Sequence, residues 1–256
     1  MAPSDRDIFS RTLRRREALI AFAATAGGAL WQAACGNAGP SGTTSSASET
    51  TTAGTVAADV CVLSPEVTEG PYWIANHLTR RDITDGRPGM PLALRVTVVD
   101  ADTCKPIRGA DVEIWHADAV GVYSGFSGNV PPSGGGGHAT PNNSRRFLRG
   151  HQRTDANGHV LFDTVYPGWY RGRTPHIHMK VHVRGSVVHT GQLFFPDATS
   201  DAVYRTAAYR SHGQPDTTNG ADSIYAAAGG SKAKVHLTRR RKRAGFKGRI
   251  TVGVRA

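Results

Sequence analysis

Apolar and polar residues alternate through much of the chain, and this pattern predicts β-strands. The clearest runs are 92–100 and 110–116, in which apolar side chains recur at every second position. A turn-like stretch at 102–106 separates the two runs, so we expect them to form two antiparallel strands. Shorter runs of the same kind predict further strands at 160–162, 176–183, 187–195 and 249–254.

Helical periodicity is confined to the N-terminus and to residues 200–208. A Gly-, Pro- and Ser-rich segment at 129–143 has the composition of a long surface loop, and such loops often border binding sites. Short strands separated by turns predict an all-β fold with one β-sandwich core of mostly antiparallel strands and long loops.

The first 35 residues have the pattern of an export signal. Three arginines at 14–16 precede a weakly hydrophobic run at 18–31, which ends in small residues and Cys35. The arginine pair followed by Glu-Ala-Leu resembles a twin-arginine signal. We therefore expect an exported protein, in the periplasm, at the cell surface or outside the cell. The alternative is an amphipathic helix of the mature domain.

The three cysteines divide into two roles. Cys35 opens a Ser/Thr-rich stretch at 36–58 with the composition of a flexible linker, so Cys35 is a candidate for lipid modification. Gln32 departs from the usual lipoprotein signal, which leaves ordinary cleavage as the alternative. Cys61 and Cys104 form an even pair in an oxidising compartment, and we expect a disulfide between them rather than two buried thiols. The folded domain is then residues 59–256.

The positive charge is concentrated at one end of the chain. The formal net charge is +11, and residues 232–255 contain ten Lys or Arg and no Asp or Glu. We interpret this segment, with its basic run at 239–243, as solvated and partly disordered. Contact with anionic wall polymers or lipid headgroups is the alternative, and export argues against a nucleic-acid partner. The sequence leaves open whether the protein is a homo-oligomer.

Reactive side chains are densest between residues 166 and 182. His176 and His178 are two positions apart, and on a strand this spacing directs both imidazoles to the same face. His182 lies too far along the strand to share a metal with them. A His-x-His pair also occurs in zinc sites, in copper sites and in strands without metal. The nearby Tyr170 and Arg173 favour iron(III), because phenolate oxygens are hard donors.

Four segments of the chain, in this order, resemble the intradiol ring-cleavage dioxygenases, the family of catechol and protocatechuate dioxygenases. The resemblance covers about residues 61–197. The segments are Glu69-Gly70-Pro71-Tyr72, Trp115-His116-Ala117-Asp118-Ala119-Val120-Gly121-Val122-Tyr123-Ser124, Pro167-Gly168-Trp169-Tyr170 and Arg173-Thr174-Pro175-His176-Ile177-His178.

The resemblance implies a non-haem Fe(III) centre held by two tyrosines and two histidines, Tyr123, Tyr170, His176 and His178. It implies that Tyr123 is the permanent phenolate ligand, whereas Tyr170 leaves the metal and takes up a proton when a catechol binds. Arg173 would stabilise negative charge on the ring, and Tyr72 and Gln192 would lie near the substrate. The implied reaction inserts both atoms of O2 into a small aromatic diol and yields a cis,cis-muconate.

The chain departs from the family pattern in one interval. The stretch from Tyr170 to His176 is shorter than in the classical ring-cleaving enzymes, so their substrate preference is not carried over. A more open pocket that admits larger plant-derived catechols is a hypothesis. Two other functions stay open: a secreted β-sandwich binding module without catalysis, and a copper or zinc protein that uses only the histidine pair.

Overall fold

The computed structural model describes residues 62–75, 78–128 and 137–256. The expected signal (1–35), the expected linker (36–58), Cys35 and Cys61 lie outside these residues. All described residues belong to one compact unit, Ala53–Ala256. Within the described part of the chain, no helix is long and apolar enough to cross a membrane.

Strands dominate the described residues, with two short α-helices near the C-terminal end. The strands are β1 (Pro91–Asp100), β2 (Asp111–Trp115), β3 (Arg149–Arg153), β4 (His159–Val165), β5 (His176–Val183), β6 (Ser186–Phe194), β7 (His236–Arg239) and β8 (Phe246–Val254). The helices are α1 (Asp197–Tyr204) and α2 (Ser223–Ala227), and 3-10 turns cover Asn219–Ala221 and Gly230–Ala233.

The strands form two four-stranded sheets. The first sheet has the order β4-β1-β8-β7 and the second has the order β3-β2-β5-β6. Neighbouring strands are antiparallel except β1 and β8, which are parallel. The prediction of an all-β sandwich with mostly antiparallel strands is confirmed.

The apolar core lies between the two sheets. Leu94 and Val96 of β1 point into it from the first sheet, and Ile177 and Met179 of β5 point into it from the second. All four side chains are fully buried. Because side chains alternate along a strand, His176 and His178 point to the opposite face of the second sheet. One face of β5 therefore packs in the core, and the other face carries the histidine pair of the candidate site.

The expected pairing of 92–100 with 110–116 is wrong. β1 pairs with β4 and β8, whereas β2 pairs with β3 and β5 in the other sheet. The connection crosses from one sheet to the other, so apolar residues of the two strands meet across the core. Alternation specifies a buried face, but it does not distinguish a neighbour within a sheet from a partner across the core.

Two strands lack an apolar pattern and were not predicted. β3 has the sequence Arg-Gly-His-Gln-Arg, and β7 lies within the basic C-terminal segment. β7 pairs with β8, and the basic run 239–243 closes this hairpin. The prediction of partial disorder there is wrong, although most of these basic side chains are exposed. The expected helix at 200–208 is α1, which begins and ends earlier.

Cys104 is disulfide-bonded. It lies in the crossing between β1 and β2, at a left-handed backbone conformation with φ of 61°. Its expected partner Cys61 is outside the described residues, so the Cys61–Cys104 pairing stays a prediction.

Candidate metal centre and active site

A second cluster of buried side chains covers the outer face of β2 and β5. It is mainly aromatic and contains Tyr72, Trp115, Tyr123, Phe126 and Tyr170. The Trp115 ring stacks on the ring of His178 across the two strands, with centroids 5.0 Å apart and an interplanar angle of 6°. This cluster excludes water from one side of the histidine pair.

The two histidines direct the same ring atom to one point. The Nε2 atoms of His176 and His178 lie 3.1 Å apart. Nδ1–H of His176 donates to the carbonyl oxygen of Thr174 at 2.7 Å, which leaves the Nε2 lone pair free to bind a metal. Burial lowers the pKa of both imidazoles well below the usual range, so both remain neutral, as metal ligands must be.

Tyr123 reaches the same point from the loop that follows β2. Its hydroxyl oxygen lies 3.0 Å from Nε2 of His178 and 3.4 Å from Nε2 of His176. The loop is fixed by the buried carboxylate of Asp118, which accepts hydrogen bonds from the amides of Val120 at 3.1 Å and Val122 at 2.9 Å. Arg87 pairs with the same carboxylate. Tyr123 is therefore held by its own loop.

Tyr170 closes the turn that carries Gly168, and this turn packs directly on the Tyr123 loop. The amide of Gly168 donates to the carbonyl of Ala117 at 3.2 Å. A Cβ at position 168 would lie 1.8 Å from the carbonyl oxygen of Asp118, so only glycine permits this contact. The Tyr170 ring lies 5.9 Å from the ring of Tyr123 and 5.5 Å from that of His176.

Burial opposes ionisation of the tyrosines. It raises the pKa of Tyr123 well above its usual value and also raises the pKa of Tyr170. The nearby arginines do not reverse this shift, so both phenols stay protonated without a metal ion, whereas a bound metal ion favours the phenolate. The arrangement therefore suits tyrosinate coordination.

Tyr72 lies above the two tyrosines. Its ring stacks on Tyr123 with centroids 4.6 Å apart and contacts Tyr170 edge-on at 6.0 Å. Its buried hydroxyl has no hydrogen-bond partner within the described residues. Burial and the nearby Tyr170 raise the pKa of Tyr72 to about 12, so this hydroxyl is a neutral donor. Its expected contact with substrate stays a prediction.

Arg173 and Gln192 lie together beside Tyr170. The Arg173 guanidinium donates from Nη2 to the side-chain oxygen of Gln192 at 2.5 Å and from Nη1 to the Tyr170 hydroxyl at 3.3 Å. Gln192 is the cross-strand neighbour of His178 and donates to the carbonyl of Thr68 at 2.9 Å. The fold thus brings all seven expected site residues into one region.

Sequence reasoning missed two charged residues of this region. Asp222 accepts a hydrogen bond from Nε of Arg173 at 2.9 Å, and its side chain is almost fully buried. The sequence signal at Asp222 is only that of a helix N-cap. Arg149 is also buried, behind Tyr72 and Tyr123, and it donates to the carbonyls of Tyr72 at 2.7 Å and Ser124 at 2.9 Å. Arg149 lies in β3, which has no apolar alternation, so the sequence predicted neither this strand nor the position of Arg149.

The donor set fits a hard metal ion. Among the described residues, no cluster of three or more His, Cys, Asp and Glu could hold a metal. The histidine pair therefore needs the tyrosine oxygens to complete a site. Arg149 and Arg173 add positive charge near the phenols, which favours phenolate ligands, and phenolate oxygens suit hard cations better than soft ones.

Comparison with known proteins bears on the family of the chain. A family model described as Dioxygenase matches residues 64–203, which is more than half of the chain. An intradiol ring-cleavage dioxygenase from Tetranychus urticae has a similar structure, with a TM-score of 0.71 and 38% identity over 76% of this chain and 95% of that chain. The chain belongs to the intradiol ring-cleavage dioxygenase family.

Two further relatives match less of their own length or less closely. Catechol 1,2-dioxygenase 1 from Acinetobacter lwoffii is 34% identical over 112 residues, which are 42% of this chain and 32% of that protein. The matched part of the chain spans about a third of the length of the three Acinetobacter catechol 1,2-dioxygenases and about half the length of a chlorocatechol 1,2-dioxygenase from Pseudomonas putida. The dioxygenase domain of a carbohydrate-binding fusion from Streptomyces sp. SirexAA-E has a TM-score of 0.53 and 27% identity, covering 76% of this chain and 99% of that chain.

Proposed function

We propose that this chain is a non-haem iron(III) dioxygenase that cleaves a catechol-type ring between its two hydroxylated carbons and yields a cis,cis-muconate. The observation that carries the proposal is the convergence of four side chains. Nε2 of His176, Nε2 of His178 and the Tyr123 hydroxyl lie within 3.4 Å of one another, and the Tyr170 ring lies beside them. Two imidazoles and two phenols together suit iron(III) and fit zinc or copper poorly.

The iron would supply a Lewis acid that holds phenolate and catecholate oxygens and makes the ring reactive toward O2. Tyr123, His176 and His178 would stay bound throughout. Tyr170 would accept a proton from a substrate hydroxyl as it leaves, so it acts as ligand and then as base. Arg173 Nη1 already lies 3.3 Å from the Tyr170 oxygen and would hold the released hydroxyl.

Arg173 would also stabilise negative charge on the substrate. A guanidinium is always cationic, and this one is largely shielded from solvent, with 14% of its side chain exposed. Gln192 fixes it from one side through the 2.5 Å hydrogen bond. The unpartnered hydroxyl of Tyr72 would face the ring and donate to a substrate oxygen.

A visible spectrum with metal analysis tests the proposal most directly. Tyrosinate bound to iron(III) absorbs visible light, so the purified protein should be red-brown, contain stoichiometric iron and change colour with catechol in the absence of O2. Oxygen uptake with catechol should equal the muconate formed. A colourless protein with stoichiometric zinc, or an iron-loaded protein that consumes no O2 with any catechol, would contradict the proposal.

The substrate would be a small aromatic diol. The interval from Tyr170 to His176 is short, and we propose a pocket that admits catechols larger than catechol itself. Oxygen uptake should be compared for catechol, protocatechuate and a caffeate-like substrate. Turnover of plain catechol alone would contradict the open pocket, although it would leave ring cleavage intact.

We also propose that the protein is exported through its first 35 residues, with Cys35 as a candidate site for lipid. Fusion of residues 1–58 to a reporter that is active only after export tests this. Replacement of Arg15 and Arg16, the pair that precedes Glu17-Ala18-Leu19, by Lys should abolish twin-arginine export, whereas unchanged export would point to another route. Mass spectrometry of the mature N-terminus would show whether Cys35 carries lipid.

A further inference from the structure

The segment 212–222, which lies beyond the residues that the family model matches, supports the turn that carries Tyr170 and Arg173. Three contacts involve the start of the turn: Trp169 Nε1 to the carbonyl of Gly213 at 3.1 Å, His212 Nε2 to the carbonyl of Trp169 at 2.8 Å, and the Gly172 amide to Asp216 at 3.1 Å. The end of the turn is bound by Asn219 and Asp222 through Thr174 and Arg173. This short turn therefore takes much of its support from a distant part of the chain.

Within segment 212–222, the Asp222 carboxylate is held by hydrogen bonds to both of its oxygens. One carboxylate oxygen accepts from Arg173 Nε at 2.9 Å and from the Thr174 amide at 3.1 Å. The other oxygen accepts from the amides of Ile224 at 2.9 Å and Tyr225 at 3.3 Å, at the start of α2. With 1% of its side chain exposed, the carboxylate has four donors and a single orientation.

Arg173 is held unequally by its three partners. Its contacts to Asp222 and Gln192 are 2.9 and 2.5 Å long, whereas its contact to the Tyr170 hydroxyl is 3.3 Å long. The two shorter contacts come from residues that do not bind the metal in the proposed function. A guanidinium held in this way keeps its direction when the phenol moves.

We propose that Asp222 is a positioning residue that holds Arg173 in place independently of Tyr170. Tyr170 can then leave the metal while Arg173 stays directed at the substrate. This inference rests on the proposed function, because it assigns Asp222 to the same reaction. It also explains how a chain with a short Tyr170–His176 interval orients its arginine.

Replacement of Asp222 by Asn tests the inference, because Asn keeps the size and the helix-capping oxygen but removes the charge. We expect kcat/KM for the preferred catechol to fall about 10- to 100-fold, as is typical when a supporting partner of a site residue is lost. The fall should lie in kcat, with little change in anaerobic catechol affinity. The matched control is Asp216→Asn, which removes a charge from the same segment, keeps an oxygen that can accept from the Gly172 amide and does not contact Arg173, so its kcat should stay within about twofold of wild type.

A double-mutant cycle separates positioning from general support. If Asp222 acts through Arg173, the double variant Arg173→Gln/Asp222→Asn should be no slower than Arg173→Gln alone. Losses that multiply in the double variant, or an unchanged kcat in Asp222→Asn, would overturn the inference.

A measurement on the metal-free protein keeps this test distinct from that of the proposed function. The Arg173 Nε–H proton is bonded to a buried carboxylate, so its signal in a ¹⁵N spectrum should exchange slowly with water in the wild type and in Asp216→Asn. It should exchange rapidly in Asp222→Asn. Slow exchange in all three proteins would overturn the positioning role. If the wild-type enzyme cleaved no catechol, the proposed function would fail while this readout still decided the contact.

Discussion

The two tyrosines of the site lie side by side but are held differently. Tyr123 is 1% exposed, stacks under Tyr72 at 4.6 Å and follows a loop fixed by the buried Asp118. Tyr170 is 7% exposed, contacts its aromatic neighbours only edge-on, and its hydroxyl is held by a 3.3 Å contact to Arg173. Tyr123, which is stacked face to face, therefore has less conformational freedom than Tyr170, which has only edge-on ring contacts.

This difference agrees with the roles that the resemblance implies. A permanent ligand benefits from a position fixed before the metal binds, because its ordering cost is met on folding. A ligand that departs during the reaction needs a partner for its released hydroxyl, and Arg173 Nη1 lies 3.3 Å from the Tyr170 oxygen. The packing of the protein thus distinguishes two residues that are chemically identical.

Removal of each phenol oxygen in turn should have the largest effect and should separate the two tyrosines. Tyr123→Phe should lose most of its iron and its visible band, because a fixed ligand is gone. Tyr170→Phe should keep iron on the remaining ligands but lose kcat by about 100- to 10,000-fold, the range for loss of a catalytic base. Metal content, the visible spectrum and oxygen uptake measure these outcomes. Equal loss of iron in both variants would show that the two tyrosines are equivalent ligands.

The contact between the two tyrosine-bearing segments should be the next most sensitive feature. In Gly168→Ala the new Cβ would lie 1.8 Å from a backbone oxygen of the Tyr123 loop, and no side-chain rotation relieves this clash. We expect the free energy of unfolding to fall by about 3 kcal/mol or more and iron binding to weaken. Gly220→Ala is the control, since a Cβ there meets nothing within 4 Å. Denaturant unfolding of both variants measures the difference, and similar stabilities would contradict the tight packing.

Sequence reasoning located the strand-borne half of the site well. A two-residue period predicts both a strand and the face on which its side chains lie, so the shared direction of His176 and His178 followed from their spacing alone. The tyrosines lie on a loop and a turn, where no period operates, and only the order of the motifs indicated them. The structure brings the two segments together through the close packing of Gly168 on the Asp118 carbonyl.

The parts that sequence could not predict depend on contacts between distant residues. Asp222 is 49 residues from Arg173, and nothing near it in the chain indicates an arginine partner. β3 and β7 are polar strands that gain their structure from their neighbours, so propensity gave no signal. The partners of β1 and β2 were likewise set by the topology of the sandwich. Local pattern specifies faces, whereas topology specifies partners.

Acid should lower the free energy of unfolding through His116, which immediately precedes the loop that carries Tyr123. Its Nδ1–H donates to the carbonyl of Ala117 at 2.8 Å and its Nε2 accepts from Thr164 at 2.7 Å. Burial lowers the pKa of His116 from 6.5 to about 4. The folded state therefore binds fewer protons than the unfolded state between these values. The stabilisation is present above pH 6.5 and is lost as the pH falls toward 4, up to about 3 kcal/mol at 1.4 kcal/mol per pKa unit.

Unfolding of the metal-free protein at several pH values between 4 and 7 measures this effect. His176 and His178 also have lowered pKa values and contribute in the same direction. The variant His116→Gln isolates the contribution of His116, because it should be less stable at pH 7 but lose less stability on acidification. A pH dependence equal to that of the wild type would show that His116 does not carry it.

The smallest expected effect concerns the support of Tyr170 by the 212–222 segment. Trp169→Phe removes the hydrogen bond from the indole nitrogen to Gly213 and keeps an aromatic ring beside His212, with which Trp169 packs at 4.6 Å. One partly exposed hydrogen bond contributes about 1 kcal/mol or less.

Amide hydrogen exchange measures this loss of stability at individual residues. The Arg173 amide donates to the Tyr170 carbonyl at 3.0 Å. Because about 1 kcal/mol corresponds to about a fivefold change in the opening equilibrium, this amide should exchange about fivefold faster. The exchange of the Gly121 amide in the Tyr123 loop should not change. Faster exchange at both amides would mean that the two tyrosines share one cooperative unit, and the contrast between a fixed and a movable ligand would then have to arise from the metal rather than from the protein.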